Sequence, residues 1–235
     1  MSERIRSRVR TCVFQDLQVL EYRRALDLQL ETRNAKMQDR SLPDQLFFVQ
    51  HPPVFTFGKR GGKENLMKPD VFLKQQGIDM VQTDRGGNIT YHGPGQAVLY
   101  PVVDLERACI GVADFVYGLE EIMGRTAEDF GVVINRDPRN RGMWAGTRKI
   151  GSVGLSIRRR ISTHGLALNV SLDLTPFSWI NSCGLSQVAM TSLQQELQVS
   201  QKKNIPVSMD AVKEKFVTYF CRLFHFQLIG ETTHA

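Results

Sequence analysis

The sequence predicts an α+β fold: a mixed, largely antiparallel sheet flanked by helices. Three observations lead there. Segments with a helical apolar period interleave with β-branched or alternating segments, without a regular strand–helix–strand rhythm. Two strand-like stretches, 149–158 and 161–170, are separated by little more than an arginine run, which implies a hairpin. The 235 residues are 42% hydrophobic and 23% charged, ordinary values for a globular chain with a substantial core. No repeat, low-complexity tract or linker breaks the pattern, so residues 1–235 read as a single domain.

Taken in order, residues 15–38 carry a broad apolar helical face with Leu17, Leu20, Tyr22, Ala25, Leu26 and Leu28 among charged residues. Leu46–Gln50 is a short buried strand, stopped by Pro52 and Pro53. Val54–Phe57 resumes the extended chain, and Gly58, Gly61 and Gly62 make a loop. Ala97–Val103 is apolar and β-branched, which predicts another strand. Gly111–Gly131 gives the clearest helix, with Val112, Phe115, Val116, Leu119, Ile122 and Met123 at helical spacing. In 149–158, Val153, Leu155 and Ile157 alternate with Ser152, Gly154 and Ser156. Residues 208–226 form a second helix, N-capped by Ser208, with Val212, Phe216, Phe220 and Phe224 every four residues.

No apolar run approaches the roughly 18 residues of a membrane span. The basic start, with Arg4, Arg6, Arg8 and Arg10, lacks the apolar stretch of a secretory signal, and Glu3 and its brevity argue against a mitochondrial transit peptide. A cytoplasmic setting is therefore expected. Cys12, Cys109, Cys183 and Cys221 show no C-x-x-C spacing, which favours reduced thiols over a zinc site. The net charge of +6 suits acidic partners, but no long basic stripe interleaved with aromatics points to nucleic acid.

Three segments carry candidate chemistry. In 85–96, RGGNITYHGPGQ, four glycines between positions 86 and 95 expose backbone amides. Neither a phosphate-binding P-loop nor a dinucleotide fingerprint is present. The segment reads equally as a cradle for an oxyanion and as a glycine-rich turn with a structural histidine. In the second, KIGSVG at 149–154 precedes HGLALNV at 164–170. Lys149 and His164 there fit a pocket wall, but also a solvated lysine and a histidine satisfied by backbone. The third is Asn181-Ser-Cys-Gly184, where Cys183 lies in a turn-rich stretch, as a reactive thiol would. Cys109 and Cys221, beside apolar residues, read instead as small core hydrophobes.

Together, in this order and spacing, these segments resemble the lipoyl(octanoyl) transferase family of lipoate biosynthesis, over roughly residues 15–200. The resemblance implies the fold of the biotin/lipoate protein ligase catalytic domain. It implies a cysteine–lysine dyad of Cys183 and Lys149, and ping-pong transfer of octanoyl through a thioester. Its substrate-binding residues map onto Arg85, Gly86, Gly87, Asn88, Ile89, Thr90, Tyr91 and His92, then Ser152, Val153, Gly154, His164, Gly165, Leu166 and Ala167. The oxyanion is expected at Gly86–Gly87 or near Gly165–Ala167. No cofactor and no metal is implied. The implied donor is octanoyl-acyl carrier protein. The implied acceptors are lipoyl domains of 2-oxoacid dehydrogenase complexes and the glycine cleavage H protein. Arg158–Arg160 would either steer such acidic partners or form a solvated hairpin tip.

Overall fold

The computed structural model describes residues 10–137, 140–181, 188–200 and 206–233. Among these, an eight-stranded sheet forms the centre. Its strands are β1 (Arg10–Val19), β2 (Asp44–Gln50), β6 (Gln96–Val102), β7 (Asn135–Asp137), β8 (Asn140–Ala145), β9 (Arg148–Arg158), β10 (Ile161–Asn169) and β11 (Phe226–Thr233). They lie in the order β11-β1-β2-β6-β10-β9-β8-β7. β1 runs parallel to β2 and to β11, and every other neighbouring pair is antiparallel. A second sheet joins β4 (Asp79–Gln82), β3 (Val54–Phe57) and β5 (Ile89–His92). The mixed, largely antiparallel arrangement is the one the sequence predicts.

Both faces of the large sheet are covered, and the period of two along each strand sorts the side chains between them. Leu46 and Phe48, Ala97 and Leu99, and Leu166 and Leu168 face one core. That core is closed by helices α3 (Val112–Asp129) and α5 (Met209–Phe224). Phe47 and Val49, Val98 and Tyr100, and Ala167 face the other side. Helix α1 (Tyr22–Gln38) covers it. A third cluster, around Phe55, Phe57, Ile89, Tyr91 and Phe177, fills the small sheet and its short helix α2 (Asp70–Gln75). Helix α4 (Leu193–Val199) adds Leu193 and Leu197 to the first core.

Helix α5 matches its sequence pattern: Val212, Phe216, Phe220 and Phe224 are all buried, and the Ser208 side chain accepts from the amide of Ala211. The predicted hairpin is also present. Arg158 pairs with Ile161 across a two-residue turn in which Arg159 and Arg160 both take positive φ. Primed turns of this kind follow the right-handed strand twist, which explains why strained non-glycine residues are accepted there.

Two expectations fail. Residues 15–19 belong to strand β1, not to a helix, and α1 begins at Tyr22. β1 is sandwiched between two parallel neighbours, and this long-range pairing overrides the local apolar period that Leu17 and Leu20 suggest. Cys109 is exposed rather than a core hydrophobe. Its flanking residues Ala108 and Ile110 are buried, and its own positive φ of 52° turns it outward at the end of a tight turn. Cys12 is buried and Cys221 half-buried. No described helix is long and apolar enough to cross a membrane.

Candidate active site

A cavity of about 770 Å³ opens between the small sheet, β9, β10 and the start of α3. Its wall contains Lys149, the run from Arg85 to Thr90, His92, Ser152 to Gly154, and His164 to Ala167. One sequence candidate stands apart. Thr90 and His92 alternate toward the cavity, whereas Tyr91 packs its ring on Phe55 and Phe177 in the third cluster. Cys183 lies outside the described residues.

Lys149 is near the start of β9 and only 2% exposed. Its Nζ donates to the carbonyl oxygen of Arg141 at 2.8 Å and sits 5.6 Å from the centre of the Trp144 ring. Its backbone is clasped by the chain that follows the 182–187 stretch. The Lys149 amide donates to the Ala189 carbonyl at 2.8 Å, and its carbonyl accepts from Thr191 at 2.9 Å. On the other side of that stretch, the Asn181 amide donates to the Asn65 carbonyl at 2.9 Å. The Asn65 side chain donates in turn to Asn88 in the cavity wall at 3.0 Å.

A buried hydrogen-bond chain links the first sequence segment to Lys149. His92 Nδ1 meets Gln96 Oε1 at 2.7 Å. Gln96 Nε2 donates to Asn169 Oδ1 at 2.9 Å, and Asn169 donates to the carbonyl of Thr191 at 2.9 Å. Thr191 is bonded to the Lys149 carbonyl, as above. Burial, with the neighbouring His51 as the next cause, holds the imidazole of His92 well below its usual range. His92 is therefore neutral at pH 7 and serves as a hydrogen-bonding wall rather than a charge.

His164 owes its position to a break in the sheet. The register that pairs Leu166 with Leu99 and Ile161 with Asp104 sets His164 opposite Pro101. Proline has no N–H to offer, and it is rare within a central strand for that reason. The backbone responds locally. His164 takes a φ of 58°, and its amide turns to the side chain of Gln29 in α1 at 2.7 Å. Regular alternation with Leu166 would send His164 toward α3 and α5, and the left-handed twist turns it to the α1 side instead. There Nδ1 meets the Tyr22 hydroxyl at 3.2 Å and Nε2 meets Asp84 Oδ1 at 2.8 Å. The next residue must be glycine, because a Cβ on Gly165 would collide with the Leu99 carbonyl. Burial lowers the His164 value, and the Asp84 contact opposes this. Asp84 is held far below the usual carboxylate range, first by His164, with Ser156 and Arg33 adding to the effect.

The two expected oxyanion cradles differ. Gly86 donates its amide to the Leu155 carbonyl at 2.8 Å, and Leu166 and Ala167 are paired within the sheet. The Gly87 amide, with φ at 91°, makes no hydrogen bond to any described group. Arg85 lines the cavity and is buried. Its guanidinium braces β3 through the carbonyl and hydroxyl of Thr56.

Several wall residues escape sequence reading. Val112, Ala113 and Val116, at the start of α3, supply apolar surface. Val112 is 39% exposed because it faces this space and not the core assigned to it by its helical period. Tyr22 and Tyr100 line the inner part with His92. Asp84, which does not line the cavity but bonds His164 of its wall, carried a signal as the acidic residue directly before the glycine-rich run. No group of three or more His, Cys, Asp or Glu side chains among the described residues could hold a metal ion.

Residues 21–221 match the family described as the lipoyl protein ligase A/B catalytic domain. An octanoyltransferase of Desulfotalea psychrophila is 52% identical over 155 residues, covering 65% of this chain and 70% of that one. One from Alkaliphilus metalliredigens is 37% identical over 210 residues, covering 89% and 93%. Among solved structures, the bipartite lipoate protein ligase of Thermoplasma acidophilum, studied with its E2 lipoyl domain, superposes with a TM-score of 0.64. At 16% identity, over 95% of this chain and 87% of that one, it shows a shared fold. The cavity, the stitched motifs and these relatives agree: the chain belongs to the lipoyl protein ligase A/B catalytic domain family and, within it, to the octanoyltransferases.

Proposed function

We propose that this enzyme moves an octanoyl group from octanoyl-acyl carrier protein, through a thioester on Cys183, to a lysine of a lipoyl domain. The observation that carries the reading is Lys149, an amine buried in the wall of an apolar-sided cavity. The chain on both sides of the cysteine-bearing stretch is bonded to that same wall, upstream through Asn65 to Asn88 and downstream to Lys149 itself. A thiol with an ordinary value of about 8.5 is only a few per cent thiolate at neutral pH. A lysine beside it either stabilises the thiolate as a cation or takes the proton and returns it to the leaving group.

In the first half-reaction the Cys183 sulfur attacks the donor thioester, and the carrier's thiol leaves with a proton. The tetrahedral oxyanion is assigned to the Gly87 amide, which has no competing described acceptor. In the second half-reaction the acceptor lysine amine attacks the acyl-enzyme. An amide forms, the cysteine is released, and Lys149 relays the proton. Passing from thioester to amide is downhill, so no nucleotide is consumed. Val112, Val116, Val153 and Leu155 take the acyl chain, at about 0.8 kcal/mol per buried CH₂.

Intact-mass spectrometry after mixing with octanoyl-acyl carrier protein tests this. The expected result is one octanoyl unit on Cys183, discharged by a lipoyl domain and absent from Cys183→Ser. ATP-dependent transfer of free octanoate by an active Cys183→Ser variant would assign the ligase reaction instead. A bound acid without an adduct would make the protein a binder.

A further inference from the structure

One contact of the Lys149 amine has a second end. The Arg141 carbonyl, acceptor of Lys149 Nζ at 2.8 Å, and the Gly142 amide are the two poles of one peptide group. The Gly142 amide donates to Glu120 Oε1 at 3.1 Å. Glu120 lies on α3 and is 1% exposed. Its other oxygen takes Arg136 Nε at 3.2 Å, and the Arg141 guanidinium stands 4.0 Å away. Arg136 is itself shared with Glu121 at 3.0 Å and stacked on Tyr117. Lys149 is faced by the Trp144 ring from β8.

The peptide can take this position only because residue 142 is glycine. Its φ is 118°, and a Cβ there would collide with the Gly151 carbonyl and stand 2.9 Å from Lys149 Cε. N–H and C=O point in opposite directions across a planar trans peptide. A carboxylate on the amide side therefore polarises the group and makes the carbonyl on the far side a stronger acceptor. A staple between α3 and β8 could have been built from apolar side chains without burying a carboxylate. What the carboxylate adds, and an apolar staple would not, is an anionic acceptor on the amide side of the peptide that holds the amine.

We infer that Glu120 is a positioning residue for Lys149, acting through the Arg141–Gly142 peptide to aim the amine and to hold its proton. The inference rests on the reading of Lys149 as the amine that serves Cys183. Glu120→Gln keeps the shape and one acceptor oxygen but removes the charge, whereas Glu120→Ala removes both.

The test is single-turnover acylation by octanoyl-acyl carrier protein across pH, with the full-length variants and Lys149→Met alongside. Glu120→Gln should keep the rate at its optimum within a few fold. The rising limb of its pH profile should move down by about half a unit to one unit, because the neutral amine is now easier to form. Glu120→Ala should lose about tenfold in rate with little change in half-saturation by the carrier, the size expected when an interaction acts in the chemical step. A wild-type pH profile in Glu120→Gln, with at most a lower melting temperature, would reduce Glu120 to a structural staple and overturn the inference. Lys149→Met separates the two levels. Full activity there removes the reading of Lys149 itself, while an inactive Lys149→Met beside an unshifted Glu120→Gln defeats only the role of Glu120. Should Glu120→Ala fail to fold, the profile of Glu120→Gln decides.

Discussion

Helices α1 and α5 cover opposite faces of the same sheet and are built by opposite rules. The buried stripe of α5 is Val212, Phe216, Phe220 and Phe224. That of α1 is Tyr22, Ala25, Gln29, Arg33 and Lys36, at equally good helical spacing but mostly polar. Each polar end has a partner. Gln29 accepts from His164, Arg33 faces Asp84, and Lys36 pairs with Asp44 at 2.8 Å and donates to the Leu42 carbonyl. α5 is a stability element whose contacts are non-directional. α1 holds the backbone irregularity at His164, and the ring of that histidine, in place by directed bonds to Gln29 and Tyr22. The lesson is that one sheet can keep a strained segment under a mostly polar helix stripe because apolar clusters on both of its faces supply the burial.

This contrast can be broken experimentally. The largest effect should come from Phe216→Ala, which should cost about 3–5 kcal/mol in urea unfolding while the activity of the folded fraction stays intact. Activity falling faster than the folded fraction would show that the two faces are not separable.

Acid should act on the α1 side next. Burial sets His51 at about 4, and it meets the Leu20 carbonyl at 2.7 Å and Tyr100 at 2.9 Å. With an unfolded value near 6.5, the unfolded chain binds the proton first as pH falls. Stability present at pH 7 is therefore lost progressively below about 6.5, at about 2 kcal/mol from His51 alone by pH 5. His92, shifted in the same direction, adds to the loss. Amide exchange should quicken in α1 before α5. An unfolding midpoint equal at pH 7 and pH 5 would contradict the neutral histidine cluster.

The smallest stability change, on the order of 1–2 kcal/mol, is expected for Gln29→Leu, which strands the His164 amide. Its acylation rate should nevertheless drop more than that of Phe216→Ala, because His164 and the adjoining cavity wall lose their anchor. A normal rate in Gln29→Leu would make the polar stripe of α1 merely tolerated.

Legibility in the sequence follows the same divide. The α5 stripe, the arginine-tipped hairpin and the glycine-rich run could be read directly, since spacing or turn chemistry marks each one. The α1 face could not, because Gln29, Arg33 and Lys36 look like solvent-facing residues until their partners on distant strands are known. Val112 misled for the converse reason: its apolar side chain faces a cavity that only the assembled sheets create. Strand β1 was hidden by a local period that favours a helix, which its pairing with β2 and β11 outweighs.

By itself, then, the chain's order of residues determined the class of fold, the hairpin and the glycine-rich run, because propensity, period and turn chemistry are local properties. Only the tertiary structure decided that Pro101 would stand opposite His164, that Gln29 would take the displaced amide, and that a buried Glu120 would reach Lys149 through one peptide. These depend on strand register and on unmet hydrogen bonds at close range, and neither exists until distant segments are packed together.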